Sequence, residues 1–288
     1  MLEIKKYAPS DLGAIEKMDA FAATEIQYHK GIHNENVICV VDGDVIVGVG
    51  FLIIPKPIAL KGKQYVEFST VIRDEYRTDF VIDSLLTDGL IARFHEVKHE
   101  NSKMDLYMRV CCENDEISDM QFLLEKGFTL NAVIPVLSYD LTQDIGHYSI
   151  PEEITIQRVA FTPQKIKSYL EADFEACEQL DDEAAIWFRT GNPSFACFAA
   201  MKGEQMVGAI SVWNITKDQA ATENIFVVPS YRRKNIAKEL IATAFEELKQ
   251  REMKIATLSM LGTNRPAMNL YLSCGYKLYY NLLEMLLK

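Results

Sequence analysis

The chain has 288 residues, which is enough for two domains of ordinary size, each with its own core. Its formal net charge of −11 argues against a nucleic-acid surface, which needs a basic face, and is compatible with an amine substrate. The six cysteines lack metal-ligand spacing and indicate reduced thiols rather than a metal site. With no apolar leader and no stretch near the roughly 20 apolar residues that span a membrane, we expect a cytoplasmic protein without a membrane partner.

The first half predicts a mixed sheet that opens with a strand and a helix. An alternating strand over residues 3–7 is followed by a helix from Pro9. A hairpin joins residues 37–41 to residues 45–54 through Asp-Gly-Asp, which is a strong turn signal. A further strand ends at Tyr76-Arg77. An amphipathic helix, a strand and a short helix then lead to Gly127-Phe128.

The second half repeats this order, with a polar linker between the copies near residues 142–151. Residues 154–158 alternate, and Thr162-Pro163 predicts a helix start. A hairpin over residues 195–213 turns at Lys202-Gly203-Glu204. The last short helix ends at Gly275-Tyr276. The sequence therefore predicts two tandem α/β (α+β) domains over residues 1–142 and 151–288, each a mixed, mostly antiparallel sheet flanked by helices.

The most informative stretch is a strand, a basic turn and a helix over residues 224–248. Pro229 ends the strand because it has no N–H to donate. Such a turn directs unpaired backbone N–H groups and the positive end of the helix dipole toward one point, which suits an anion. Ala237 allows close backbone approach, and asparagine at 235 is among the residues that best tolerate left-handed geometry. The alternative is an ordinary helix start with a solvated basic turn.

The stretch Arg232-Arg233-Lys234-Asn235-Ile236-Ala237 resembles the acyl-CoA signature of the GNAT superfamily of N-acetyltransferases, with asparagine where glycine is usual. A second stretch, residues 264–276, resembles the later family motif Asn-x-x-Ala-x-x-Leu-Tyr-x-x-x-Gly-aromatic. The resemblance implies tandem GNAT folds and acetyl-CoA as co-substrate, without a metal. It assigns the following residues to the CoA site: Phe226, Val227, Val228, Arg232, Arg233, Lys234, Asn235, Ile236, Ala237, Lys238 and Asn264.

The first copy departs from both motifs. Aligned on the turn, Asp79 and Phe80 stand opposite Lys234 and Asn235, and Ile82 stands opposite Ala237. A carboxylate repels a pyrophosphate, and bulky side chains hinder close approach. In the later motif, Leu123 is opposite Tyr271 and Glu116 is opposite Asn264. We expect the C-terminal copy to hold the active site.

The resemblance also implies direct attack of a primary amine on the thioester in a ternary complex. Tyr271 would donate a proton to the CoA thiolate, and a backbone N–H of Val227 or Val228 would contact the oxyanion. Glu223 is the candidate base, although it is equally well interpreted as a surface charge at a strand end. The five histidines lie in the first copy or the linker, and a water relay or a neutral amine would also suffice.

Several alternatives stay open at this point. A non-catalytic acyl-CoA-binding module would keep the turn and lose the amine pocket, and a transferase that uses charged transfer RNA would keep the fold. Trp187-Phe188 and Asp181-Asp182-Glu183 are candidates for a substrate pocket, although core packing and a solvated turn explain them as well. The acceptor is a small-molecule or peptide amine, and both a monomer and a homodimer are compatible with the sequence.

Overall fold

A computed structural model describes residues 2–54, 63–77, 80–177, 186 and 189–288. Trp187-Phe188, Asp181-Asp182-Glu183 and Asp79 lie outside the described residues. The chain divides into two compact units, Met1–Ala132 with Leu283–Lys288, and Val133–Leu282, called unit 1 and unit 2 below. Both predicted domain boundaries, 142 and 151, lie inside unit 2, so the compact units do not divide at the polar linker.

The strands and helices follow the predicted order within each half. The strands are β1 Leu2–Lys6, β2 Val37–Asp42, β3 Val45–Ile53, β4 Lys63–Ile72, β5 Asp105–Glu113, β6 Thr129–Asp140, β7 Thr155–Arg158, β8 Ala196–Lys202, β9 Gln205–Asn214, β10 Gln219–Val227, β11 Ile255–Ser259 and β12 Lys277–Leu287. The helices of the described residues are α1 Leu12–Met18, α2 Ala20–Tyr28, α3 Phe80–Glu100, α4 Ile117–Glu125, α5 Pro163–Cys177, α6 Ile236–Gln250 and α7 Arg265–Ser273. This mixed architecture confirms the predicted fold class.

Unit 1 contains a sheet in the order β1-β2-β3-β4-β5, followed by the end of β12. From β1 to β4 neighbouring strands are antiparallel, and β4 and β5 are parallel. Helix α3 packs on this sheet through Leu86, Leu90 and Phe94, all fully buried. The last residues of the chain belong to this unit, where the Cys112 thiol contacts the Leu283 carbonyl oxygen at 3.9 Å.

Unit 2 contains a sheet in the order β6-β11-β10-β9-β8-β7, in which β10 and β11 are the parallel pair. Two cores cover its faces. The first packs α6 on the sheet through Leu240, Ile241 and Phe245. The second packs α5 through Ile166 and Tyr169. The amphipathic pattern of each helix therefore explains which face of the sheet it covers.

Glycine accounts for the predicted turns and helix ends. Gly43 and Gly203 occupy the two hairpin turns with φ of 59° and 57°. Gly127 and Gly275, at φ of 89° and 92°, follow the last residues of α4 and α7. These backbone angles are readily adopted by glycine, because it lacks a Cβ.

Candidate active site

The turn between β10 and α6 has an unusual backbone. Arg233 and Asn235 are both left-handed, with φ of 63° and 61°, although neither is glycine. Asparagine is among the residues that best tolerate this conformation, and Asn235 is the N-cap of α6. Successive residues of opposite handedness turn backbone N–H groups toward a common point, which forms a concave anion site.

The first turn of α6 leaves its N–H groups available. The first helical hydrogen bond runs from the Glu239 N–H to the Asn235 carbonyl oxygen at 3.0 Å. The N–H groups of the three residues between them precede that bond and have no partner within the helix. The Glu239 carboxylate accepts the Tyr148 N–H at 2.6 Å. The dipole of a fifteen-residue helix adds partial positive charge here.

Three of the four basic residues in and after the turn are exposed. Arg233 and Lys234 are exposed, and the Lys234 ammonium lies 5.1 Å from the Tyr231 ring centroid. Arg232 has a different environment: its Nε donates to the Val227 carbonyl oxygen at 3.0 Å, and Nη2 donates to that of Ala176 at 2.6 Å. Arg232 therefore joins the end of β10 to the end of α5.

Lys238 is half-buried, and its ammonium lies 5.0 Å from the Tyr148 ring centroid. The side chains of Phe226, Val228 and Ile236 are buried in the cores of unit 2. Only main-chain atoms of these three residues are therefore available to a ligand.

Strand β10 separates from β11 after its first three residues. The parallel register pairs Gln219 with Ile255 and ends with Ala221 opposite Thr257. Beyond this point the pairing of β10 with β9 continues, with a β-bulge between Glu223 and Phe226. The Val228 N–H donates to the Val207 carbonyl oxygen at 2.9 Å. Because hydrogen bonding alternates along an antiparallel strand, the Val227 N–H points the other way, toward the gap beside β11.

Tyr271 lies on α7 and is 9% exposed. Its ring packs against Tyr276, with ring centroids 5.8 Å apart. Burial, with smaller contributions from Cys274 and Cys177, raises the pKa of the Tyr271 phenol to about 12. The phenol therefore keeps its proton at neutral pH and can act as a hydrogen-bond donor.

Glu223 lies on β10 just before the bulge. Burial raises the pKa of its carboxyl above the ordinary value, while Arg189 opposes the shift. A carboxyl whose pKa is raised toward neutrality is suited to a general base. Asn264 has a structural position, because its side-chain oxygen accepts the Ala267 N–H at 3.2 Å and caps α7.

The corresponding positions of unit 1 differ in chemistry. Phe68 stands eight residues before Tyr76, as Glu223 stands eight residues before Tyr231. The Phe68 ring contacts Phe128, with centroids 5.8 Å apart. Strand β4 pairs with β3 in one continuous register, without the bulge of β10. Ile82, opposite Ala237, is fully buried in the core.

Two features of this region were not predicted from the sequence, the contacts of the linker with α6 and the bulge in β10. The linker runs along α6, where Asn235 Nδ2 donates to the Ser149 carbonyl oxygen at 3.3 Å and His147 contacts Glu239 and Glu246, each at 2.9 Å. No local pattern predicts these contacts. The bulge does have a signal, because the consecutive polar residues Glu223-Asn224 interrupt an apolar strand.

The structure therefore brings together a left-handed turn at a helix N-terminus, a parallel strand pair that separates, and a buried tyrosine. Residues 161–276 match the family model "Acetyltransferase (GNAT) family". Over 83 residues, 29% of this chain, the sequence is 34% identical to a streptothricin acetyltransferase from Escherichia coli. The match covers 48% of that relative, or about half its length.

Solved structures resemble the whole chain in fold. A GCN5-related N-acetyltransferase from Sphaerobacter thermophilus has a TM-score of 0.71 at 15% identity, with 99% of this chain and 95% of that chain covered. A tandem GNAT protein from the clavulanic acid biosynthesis pathway has a TM-score of 0.72 at 13% identity, covering 100% and 98%. At these identities the likeness is one of fold, and it confirms the predicted tandem GNAT fold.

Among the described residues, no helix is both long and apolar enough to cross a membrane. Within the same part of the chain, no group of three or more histidine, cysteine, aspartate or glutamate side chains has a metal-binding arrangement.

Proposed function

We propose that unit 2 transfers an acetyl group from acetyl-CoA to a primary amine by direct attack in a ternary complex. The observation that carries the proposal is the turn before α6, where two left-handed residues, Arg233 and Asn235, precede a helix with free N–H groups. This arrangement suits the pyrophosphate of CoA. The exposed cations of Arg233 and Lys234 add attraction for the same group.

The thioester would lie in the gap where β10 separates from β11. The amine nitrogen attacks the carbonyl carbon, and the carbonyl oxygen gains negative charge. The Val227 N–H, which points into this gap, is the proposed donor to that oxygen. Because Val228 donates to Val207, it is not available for this role. A preorganised donor at such a position stabilises the transition state without reorganisation.

Proton transfer needs a base for the ammonium and a donor for the departing thiolate. We assign the first role to Glu223, whose raised pKa brings it closer to neutrality. We assign the second to Tyr271. With the Tyr271 pKa at about 12, full transfer to a thiolate of ordinary pKa is uphill by about 5 kcal/mol. Burial raises the thiol pKa as well, so Tyr271 acts first as a hydrogen-bond donor, and its proton moves as the C–S bond breaks.

The proposed acceptor is a small-molecule or peptide amine. The relative named above acetylates streptothricin, as its name states, and an acidic chain of net charge −11 suits a cationic acceptor. We propose further that the protein acts in the cytoplasm, and that unit 1 takes no part in the chemistry, because Phe68 stands where unit 2 has Glu223.

The test is an acetyl-transfer assay on the full chain. Acetyl-CoA is incubated with a panel of primary amines, and release of the CoA thiol is measured together with the acetylated product by mass spectrometry. We expect amine-dependent thiol release in the wild type and a loss of about 10²-fold in Tyr271→Phe. Acetyl-CoA binding without transfer to any amine would instead support a non-catalytic binding module.

A further inference from the structure

The bulge in β10 contains a residue in an uncommon conformation. Asn224 has φ of 50°, and it lies between Glu223 and Phe226, where the register with β9 shifts. Non-glycine residues in this region are uncommon, and they cluster where a backbone is shaped for a function. The bulge is also the place where β10 has already separated from β11.

The Asn224 side chain carries a second, independent irregularity. Its Nδ2 atom is buried and has no hydrogen-bond partner among the described residues. A buried amide donor without a partner is unfavourable, and such groups in native proteins require an explanation. The donor would be satisfied by a ligand that supplies an oxygen acceptor.

The order of residues along β10 indicates which ligand this is. Thr222 Oγ1 lies 2.6 Å from the Tyr276 hydroxyl, and Ile225 packs against the same core. Glu223 and Asn224 stand between these two residues. Glu223 pairs with Ser211 and Phe226 pairs with Ala209, so Asn224 and Ile225 are the two bulged residues opposite Ile210. Asn224 is the one of these two that directly follows Glu223.

We infer that Asn224 selects acceptors that carry a carbonyl or hydroxyl oxygen close to the reacting amine. Its amide N–H donates to that oxygen and positions the amine beside Glu223. The inference rests on the proposed function, since it requires an amine acceptor in unit 2. It adds a specificity-determining residue that neither sequence motif contains.

The test compares amines of one shape. Glycinamide carries a carbonyl, isopropanolamine carries a hydroxyl, and isobutylamine has a similar skeleton without oxygen. We expect the wild type to favour the oxygen-bearing amines over isobutylamine by at least about tenfold in kcat/KM, because an unmade hydrogen bond penalises isobutylamine. Asn224→Gly should lower this ratio by about tenfold relative to the wild type, since glycine keeps the left-handed backbone and removes the amide.

Matched measurements separate the possible outcomes. Asn224→Gly should leave the Tm unchanged or raised, because it removes an unpaired donor, whereas Asn224→Ala should lower the Tm through backbone strain. If Asn224 held the thioester carbonyl instead, the glycine variant would bind acetyl-CoA more weakly and CoA as before, and the inference would be wrong. A wild-type protein that shows no preference for oxygen-bearing amines would also overturn the inference, as would an Asn224→Gly variant that keeps the preference. Failure of the proposed function is distinguishable from failure of this inference, because no amine would then be acetylated at all.

Discussion

Replacing Asn235 with alanine tests whether the left-handed turn is required for anion binding. Asn235 has φ of 61°, and its Nδ2 donates to the Ser149 carbonyl oxygen at 3.3 Å. The left-handed region costs an ordinary residue about 1–2 kcal/mol, and an exposed hydrogen bond contributes at the low end, about 0.5 kcal/mol. Alanine should therefore lower the free energy of unfolding of unit 2 by about 2 kcal/mol.

The assay is thermal unfolding together with calorimetric titration of acetyl-CoA. For a unit of this size, the loss corresponds to a Tm lower by about 4–8 °C. The affinity for acetyl-CoA should fall by about tenfold, because the turn no longer holds its N–H groups toward one point. Asn235→Gly keeps the backbone and loses only the hydrogen bond, so its Tm should stay within a few degrees of the wild type.

Lys234→Ala serves as the stability control, since Lys234 is exposed and is not among the left-handed residues. Its Tm should match that of the wild type. Equal stability and equal acetyl-CoA affinity in Asn235→Ala and Asn235→Gly would refute the reasoning, because residue 235 would then impose no conformational requirement on the turn.

Three further predictions concern proton transfer and the linker. Tyr271→Phe should lower kcat by about 10²-fold without changing the Kd for acetyl-CoA; an unchanged kcat would remove Tyr271 from the reaction. Glu223→Gln should abolish the rise of kcat/KM with pH on the acidic side, because the raised Glu223 pKa sets that limb in the wild type; the same limb in the variant would exclude Glu223 as the base. His147→Gln should lower the Tm at acidic pH, and the difference from the wild type should shrink as pH rises. Hydrogen bonds to Glu239 and Glu246 raise the His147 pKa above 6.5, so its stabilising effect is present below that pH and is lost as pH rises through the folded-state pKa. A difference in Tm that is constant with pH would contradict this assignment.

Local patterns in the sequence predicted the parts of the fold that depend on local physics. The hairpins follow from glycine in the turns, and the stops of α4 and α7 follow from Gly127 and Gly275. Asparagine is among the residues that best tolerate a left-handed conformation, and Asn235 has that conformation in the structure. The amphipathic face of α6 predicted its packing on the sheet.

Strand pairing between segments far apart in the sequence could not be predicted from local patterns. Leu283–Lys288 belong to unit 1 although Val133–Leu282 form unit 2, because strand partners are chosen by contacts far apart in sequence. Arg232 illustrates the same limit at the site. A basic residue in the signature indicates phosphate binding, yet its guanidinium donates to the carbonyl oxygens of Val227 and Ala176. Which cation faces a ligand depends on the fold.

The roles of Glu223 and Tyr271 depend on burial, which the sequence does not give. An isolated glutamate near a strand end is equally well a surface charge, whereas the structure buries Glu223 enough to raise its pKa. Burial of Tyr271 likewise raises the pKa of its phenol from the ordinary value to about 12. The phenol pKa therefore lies well above that of an ordinary thiol. For this reason the proposed mechanism relies on a hydrogen bond from Tyr271 to the departing thiolate rather than on full proton transfer.

The central claim is that the turn before α6 in unit 2 is the acetyl-CoA site. Calorimetric titration of the full chain with acetyl-CoA, read as sites per chain, tests it most directly. We predict one site, lost in Ala237→Glu, where a carboxylate repels the pyrophosphate while it favours the helix start. Phe80→Glu, an exposed change in the corresponding turn of unit 1, should keep the site. Two sites, or one site that survives Ala237→Glu and disappears in Phe80→Glu, would contradict the account.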